Sequence, residues 1–424
     1  MWRTILLSTL LGLACLADPL QAQRPEPPRL LDDIRFLSDD RLQGRMTGSA
    51  GADSAASYLA RRFSQVGLQP AAGGWFQSFT VGREAPAARQ AQTGVLIGKN
   101  VIGILPGRDP VLRNQAIILG AHYDHLGLGG FGSLDPDSTG LVHNGADDNA
   151  SGAAALIQVA ARLAASPPAR TVVFIAFSGE ELGLLGSAHY VKQPIYPLAS
   201  TVAMVNLDMV GRLRNGRLIV YGARSAKEFP TLLDSLNWYA GFDLKAQGDG
   251  YGPSDQSSFY AAKRPVLHLF TDLHEDYHRT TDDWQKVNYD GLKRVADFSL
   301  GLVTALANRT KPLTFLELPA PVVSLAAAPA SGTPGYGAYL GTVPDMTGAP
   351  GGVRLVGVRA GSPAEKAGLR GDDIITRIGG TETPDLQAMT DALRSHKPGE
   401  VVEILVRRGA TVTTLQATLG VRGG

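Results

Sequence analysis

The chain of 424 residues has one cysteine, so no internal disulfide can hold it together. It has no excess of charge of either sign. Lys plus Arg number 40 against 39 for Asp plus Glu, and no long basic run breaks that balance. Attraction to a nucleic acid backbone therefore has no basis here. Beyond the first twenty or so residues there is no apolar run long enough to cross a bilayer. Glycine, by contrast, is abundant at 50 residues, and 44% of the chain is hydrophobic. That composition favours a loop-rich α/β protein over a helical bundle. The length suggests two or three domains with sizeable cores.

The N-terminus reads as an export signal. Arg3 supplies a short positive region, and residues 5–16 are apolar but too short to span comfortably. Leu20-Gln21-Ala22 resembles a small-residue cleavage site, which makes residues 1–22 the signal and starts the mature chain near Gln23. The lone cysteine, Cys15, lies inside this segment. Small neighbours also make it a candidate for lipid attachment, although Gly12 stands where such motifs carry a larger aliphatic residue. The expectation is a periplasmic or secreted protein.

Apolar, β-branched runs at residues 100–105, 116–121, 171–177, 201–207, 217–220 and 266–270 have the length of buried strands. Helix-like stretches lie at 31–37, 52–66, 150–164, 181–192, 226–238 and 289–307. This alternation predicts an α/β domain over 28–308, with a mostly parallel, mixed sheet covered by helices on both faces. Residues 309–335 are rich in Pro and Ala and read as a linker. A second compact segment runs from 336 to 424.

The strand ends carry the chemistry. One run leads into His122-Tyr123-Asp124-His125; a glycine-rich loop ends in Gly145-Ala146-Asp147-Asp148-Asn149. Further strands end in Glu180-Glu181 and in Asp208, and His278 follows the last. In open α/β sheets functional groups collect beyond the carboxyl ends of strands. His, Asp, Glu, Asp and His together suit two zinc ions sharing one carboxylate. Asp147 is the expected bridge, with His122 and Asp208 on one ion and Glu181 and His278 on the other. Glu180, adjacent to a ligand but outside the set, is the expected general base. Asp148 is read as a helix cap. His125, His143, His189, His268, His274 and His396 are read as ordinary core or surface residues.

GAHYDH, NGADDNASG, SGEELGLLGS, NLDMVG and YHRTTDD resemble the motif series of the di-zinc exopeptidases of metallopeptidase family 28, over about residues 30–308. The resemblance implies this ligand set, Glu180 as base, and Asp124 orienting His122. It implies a cis peptide between Asp147 and Asp148. It also places Tyr277 as the phenol that stabilises the tetrahedral intermediate, with Tyr251 as its competitor. No protease-associated insertion fits between Phe76 and Asn100. Single-zinc glutaminyl cyclase relatives lack the second metal's histidine, whereas this chain keeps His122.

GSPAEKAGL followed by GDDII resembles the PDZ domains of bacterial periplasmic proteases, a small β-sandwich or barrel-like fold over about 336–422. Tyr339-Leu340-Gly341 then stands where such domains hold a peptide carboxylate, and the next strand can accept a peptide by augmentation. The resulting expectation is an exported aminopeptidase acting on peptides with a free N-terminus, aided by a peptide-binding module. A carboxypeptidase or amidohydrolase on the same scaffold would need a basic residue for the substrate carboxylate, and Arg212 and Arg279 are the candidates. A non-catalytic PDZ binding protein is the reading from another class.

Overall fold

The structure, a computed structural model, describes residues 29–81, 95–317, 338–344 and 351–420, apart from 131, 136, 253, 359, 360 and 385. The export segment 1–22, Cys15 and most of the 309–335 linker lie outside the described residues.

The first domain is built on one sheet of nine strands. They are β1 (Gln69–Pro70), β2 (Phe76–Val81), β3 (Leu96–Leu105), β4 (Ala116–His122), β5 (Thr171–Phe177), β6 (Thr201–Leu207), β7 (Arg217–Tyr221), β8 (Asp243–Gln247) and β9 (Val266–Phe270). The order is β1-β3-β5-β4-β6-β9-β7-β8, with β2 also on β3. The centre, β5-β4-β6-β9, is parallel; β3 on one flank and β7 on the other run antiparallel to it. The expected parallel sheet is thus parallel where it matters for the site and mixed at its margins. Strands β1, β2 and β8 have exposed or alternating residues and gave no continuous apolar run to read.

β4 and β5 are buried at all seven positions, which explains their unbroken apolar character. Alternate residues feed two cores. Ile117, Leu119, Val172 and Phe174 join the helices Ala50–Gln65, Gly152–Ala165 and Tyr289–Asn308 on one face. Ile118, Val173, Ile175 and Met204 meet Tyr190, Phe259 and Tyr260 on the other. The chain passes from β4 to β5 on one side and then to β6 on the other, so a crevice opens beyond the carboxyl end of β4. Gly152 starts its helix hard against β6. A Cβ there would stand 2.4 Å from the Leu207 carbonyl oxygen.

The domain does not stop at Asn308. Leu316 N donates to Ser225 O at 2.9 Å, Lys227 N to Thr314 O at 3.0 Å, and Phe315 forms a bridge with Ala226. The Phe315 ring lies 5.4 Å from that of Tyr260. The first residues of the expected linker are therefore a strap on the domain's surface, since Leu313 and Phe315 have apolar side chains with somewhere to pack.

The second unit is an antiparallel sheet of six strands: β10 (Thr342–Pro344), β11 (Val353–Val358), β12 (Ile374–Ile378), β13 (Thr381–Glu382), β14 (Val401–Arg408) and β15 (Thr411–Thr418). Helices Pro363–Lys366 and Leu386–Ser395 accompany it. Its core is aliphatic, with Leu340, Leu355, Ile375, Ile378, Ile404 and Val406 fully or almost fully buried. Ser362 caps the short helix through Glu365 N at 3.1 Å, as its GSPAEKAGL sequence suggests.

Candidate metal centre

His122 is the last residue of β4, and its imidazole is held by both nitrogens. Nδ1–H donates to the Asp124 carbonyl oxygen at 3.1 Å. Nε2 thereby faces the acids and, in the neutral ring, carries the lone pair that a metal ion would take. It lies 3.2 Å from Asp148 Oδ1 and 3.3 Å from Asp208 Oδ1. His278 follows the same logic from the far side. Its Nδ1–H donates to Gly132 O at 2.8 Å, and Nε2 sits 3.2 Å from Asp148 Oδ2 and 3.2 Å from Glu181 Oε2. One carboxylate, that of Asp148, thus places one oxygen against each imidazole.

The carboxylate between the two histidines is that of Asp148, one residue on from Asp147, which was expected there. Gly145 adopts a left-handed conformation (φ 53°), and a Cβ there would meet Asp148 O at 2.1 Å and the His125 ring at 2.4 Å. The reversal sends the two adjacent acids to opposite sides. Asp147 turns away. Its Oδ1 accepts from Gly211 N at 2.6 Å and from Ser151 Oγ at 2.9 Å, and its Oδ2 lies 3.1 Å from His274 Nε2. Asp148 is correspondingly no helix cap. The cis peptide is displaced by the same step and lies between Asp148 and Asn149.

The remaining expected residues fall around this carboxylate. Asp208, just past β6, belongs to the His122 side and Glu181 to the His278 side. Glu180 stands back, with Oε2 at 4.0 Å from His122 Nε2. Asp124 touches His122 chiefly through its backbone. Its carboxylate is 3.8 Å from Nδ1 and instead accepts from Thr47 Oγ1 (2.9 Å) and Glu180 N (3.2 Å). It therefore positions the Glu180 backbone as much as the imidazole. The Tyr277 ring stacks on His278 at 3.9 Å; Tyr251 packs edge-on against Tyr260 at 4.8 Å.

This donor set fits zinc. Metal–ligand bonds of about 2.0–2.1 Å in a tetrahedron separate neighbouring donors by roughly 3.3 Å. The four imidazole–carboxylate separations, 3.2 to 3.3 Å, match that edge. The nitrogen and oxygen donors, all but buried, are the types zinc prefers.

Electrostatics follow from crowding acids and imidazoles away from water. Burial pulls the His278 imidazole down, but Glu181 and Asp148 outweigh it and hold it up at about 10. Burial lifts Glu181 and the Asp148 charge adds to that, yet His278 and His125 bring it to about 2. Glu180 has no such partner in contact. Burial pushes its carboxyl well above the usual range, against the His122 charge and with Glu181 and Asp208 adding to the rise.

Four supporting residues escaped the sequence reading. His125 is buried and donates from Nδ1 to Glu181 Oε1 at 2.6 Å. Thr47 Oγ1 also accepts from Gly179 N at 2.9 Å, fixing the turn before Glu180. Arg45, fully buried, gives its guanidinium to four carbonyls: Tyr123 (2.7 Å), Asn144 (2.6 Å), Gly145 (3.0 Å) and Leu37. Burial lowers it to about 10, with Asp124, Asp148 and Asp282 opposing that fall. Asp282 Oδ2 accepts from the amides of both Asp147 (2.9 Å) and Asp148 (3.0 Å). Only His125 offered a signal, as a second histidine beyond the β4 end. His274 likewise is no bystander, since it faces Asp147. His143 is bonded within its own loop, His189 stacks on Phe79, His268 is wedged beside Tyr221 and Phe270, and His396 pairs with Glu400 at the surface.

In the second unit, Tyr339 exchanges backbone bonds with Gly420 (2.8 and 2.7 Å), and Leu340 O accepts from Ala364 N at 2.8 Å. Gly341 has φ 84°, and a Cβ would lie 2.3 Å from that of Ser362. The loop is thereby fixed directly before β10, which has β11 on one side only among the described residues.

A model of peptidase family M28 matches residues 100–303, and a PDZ domain model matches residues 338–419. Among curated relatives, leupeptin-inactivating enzyme 1 of Streptomyces exfoliatus is 27% identical over 288 residues, 64% of this chain and 56% of its own. Aminopeptidase YwaD of Bacillus subtilis is 26% identical over 257 residues, 56% of this chain and 51% of its own. The chain thus spans about half the length of the curated relatives it matches. A crystal structure of a Zn-dependent exopeptidase from Parabacteroides distasonis has the same fold, with a TM-score of 0.55 at 20% identity, covering 67% of this chain and all (100%) of that one. Residues 100–303 are thus a peptidase M28 domain and residues 338–419 a PDZ domain.

Proposed function

We propose that this protein is an exported, zinc-dependent aminopeptidase that holds two zinc ions on His122, Asp208, Asp148, Glu181 and His278. The observation that carries the reading is the Asp148 carboxylate, with one oxygen 3.2 Å from the Nε2 of each histidine. A single ion would leave one of those imidazoles and its acid partner without a role. Zinc held there supplies Lewis acidity, which acidifies water and polarises a carbonyl.

The chain's own residues do the rest. Glu180, set back from the ligand positions, takes the proton of the attacking water on its carboxylate and returns it to the departing amine. Asp124 and Thr47 hold the Glu180 turn in place from below. Tyr277, stacked on His278, and Tyr251 are the two phenols that can donate to the oxyanion.

The choice of a free amine over a free carboxylate rests on the arginines. Arg212 is bonded to Asp276 at 2.6 Å and Arg279 to Asp135 at 2.5 Å, so each already has a carboxylate partner. An acid-rich site whose nearby arginines, Arg212 and Arg279, are already paired among the described residues suits an α-ammonium group, not a C-terminal carboxylate. An aminopeptidase stands among the relatives, in agreement with this. Export rests on the sequence of residues 1–22. The PDZ role rests on β10, which among the described residues has β11 on one side only and can take an extended peptide as a further strand.

The test is metal analysis together with turnover of amino-acid anilides, using amino-blocked and carboxyl-blocked peptides as comparison substrates. Two zinc ions per chain and cleavage that requires a free N-terminus are expected. Cleavage of amino-blocked peptides that requires a free C-terminus would defeat the aminopeptidase reading. One tightly bound ion would defeat the two-ion site.

A further inference from the structure

We infer that Asp282 is a positioning residue for the bridging carboxylate, setting its distance to His278; this rests on the two-zinc reading above. Asp282 is fully buried and lies outside the ligand set. Its Oδ2 accepts from two successive amides, Asp147 N at 2.9 Å and Asp148 N at 3.0 Å. Its backbone carbonyl accepts from a third, Ala146 N, at 2.9 Å. Three consecutive amides of the segment that presents Asp148 therefore end on one residue. A carboxylate bonded to two backbone amides makes charge-assisted bonds, stronger and more directional than neutral ones.

The place of Asp282 in the chain gives the contact its meaning. It follows His278 by four residues on the same loop, closed by the bond from Asp282 N to Arg279 O (3.3 Å). One loop thus supplies a ligand directly and anchors the backbone of its neighbour. Any slip of the 146–148 backbone against this loop changes the separation of Asp148 Oδ2 from His278 Nε2, now 3.2 Å. The opposite face of the segment is held by a charge of the other sign, since Arg45 takes the carbonyls of Asn144 and Gly145. Arg45 stands on the side of β4 and His122 through its bond to Tyr123 O. Asp282 stands on the side of His278. The two zinc positions accordingly have separate supports.

The prediction is asymmetric. In full-length Asp282→Ala, the zinc held by His278 and Glu181 should be removed by a chelator ~10–100-fold more readily than in the wild type, the scale of loss when a ligand's support is cut. The zinc held by His122 and Asp208 should keep its wild-type retention, so removal becomes biphasic. Asp282→Asn keeps an amide oxygen that can accept both N–H groups and should fall between the two. The kcat on an amino-acid anilide should drop in the same order, with KM little changed. Cobalt substitution gives a readout independent of turnover, since the absorption of the second cobalt equivalent should shift in Asp282→Ala. All retention measurements are made on protein that circular dichroism shows to be folded without metal. Wild-type retention of both ions in Asp282→Ala would overturn the inference and leave the two-zinc reading standing. Equal loosening of both ions, tracking a lower Tm of the metal-free protein, would reduce Asp282 to a structural residue. A wild-type protein that binds fewer than two ions would overturn the parent reading and this inference with it.

Discussion

The two domains use buried charge in opposite ways. In the peptidase domain Arg45, Asp124, Asp147, Asp148, Asp255 and Asp282 are all buried at 3% exposure or less, together with His122 and His125. In the PDZ domain, among the described residues, the one buried side chain that is charged at neutral pH is Asp373, paired with Arg408 at 2.7 Å. Burying an unpaired charge is costly, so a cluster of charge persists only when backbone groups or a bound cation compensate it. The peptidase domain has many such compensations to lose. The PDZ domain is an aliphatic core with, among the described residues, one such buried charge to lose.

Substitutions can break or sharpen that contrast. The largest effect is expected from the adjacent acids. Asp148→Ala should lose zinc from both positions and reduce anilide turnover to background, whereas Asp147→Ala should retain measurable zinc. Metal analysis of the two purified variants checks this, and the reverse pattern would restore Asp147 as the bridge. Next, Glu180→Gln should lower kcat by about 10²–10⁴-fold with both zinc ions kept, because it removes a proton carrier and not a ligand. Loss of zinc in that variant would make Glu180 a ligand.

A smaller effect, on stability first, is expected for Arg45→Met. It leaves several buried carbonyls without donors, at about 1–3 kcal/mol for each unsatisfied group. A loss of at least about 3 kcal/mol in denaturant unfolding should follow. The boundary between the domains is tested by two truncations. A chain ending after Glu317 keeps the strap and should retain anilide turnover. One ending after Asn308 strips Phe315 from Tyr260 and should melt earlier, by roughly 1–3 kcal/mol of lost apolar burial. Equal behaviour of the two would make residues 313–317 a mere linker after all.

The smallest effect is expected in the PDZ domain. Burial raises the Asp373 carboxyl, but Arg408 outweighs it and holds the group below the usual carboxylate value. The ion pair therefore contributes stability at neutral pH, and that contribution fades as pH falls through the lowered value. Asp373→Asn should flatten the acid dependence of PDZ unfolding while anilide turnover at neutral pH stays unchanged. A change in turnover would mean that the domains are coupled.

Much of this was legible in the chain because the relevant signals are local. The apolar runs that became β4, β5, β6 and β9 are buried on both faces, so they had to be continuous. His122, Glu180, Glu181 and Asp208 lie within a few residues of those runs, so their placement at one edge followed from the parallel order. Strands β1, β2 and β8 were not legible, because edge strands with exposed faces carry no such run.

The sequence by itself determined the candidates for the site: His122, Asp208, His278, a paired Asp-Asp and a paired Glu-Glu, each at or after a strand end. It could not determine which member of Asp147-Asp148 faces the histidines. That depends on a left-handed glycine at 145 and on amides fixed by Asp282, which is more than 130 residues away in the chain. Nor could it select Arg45 or His125, whose partners are backbone carbonyls and a carboxylate brought near only by folding. Spacing along a strand is set by covalent geometry and survives in the sequence. The direction in which a loop side chain points is set by contacts between distant segments, and only the tertiary structure decides it.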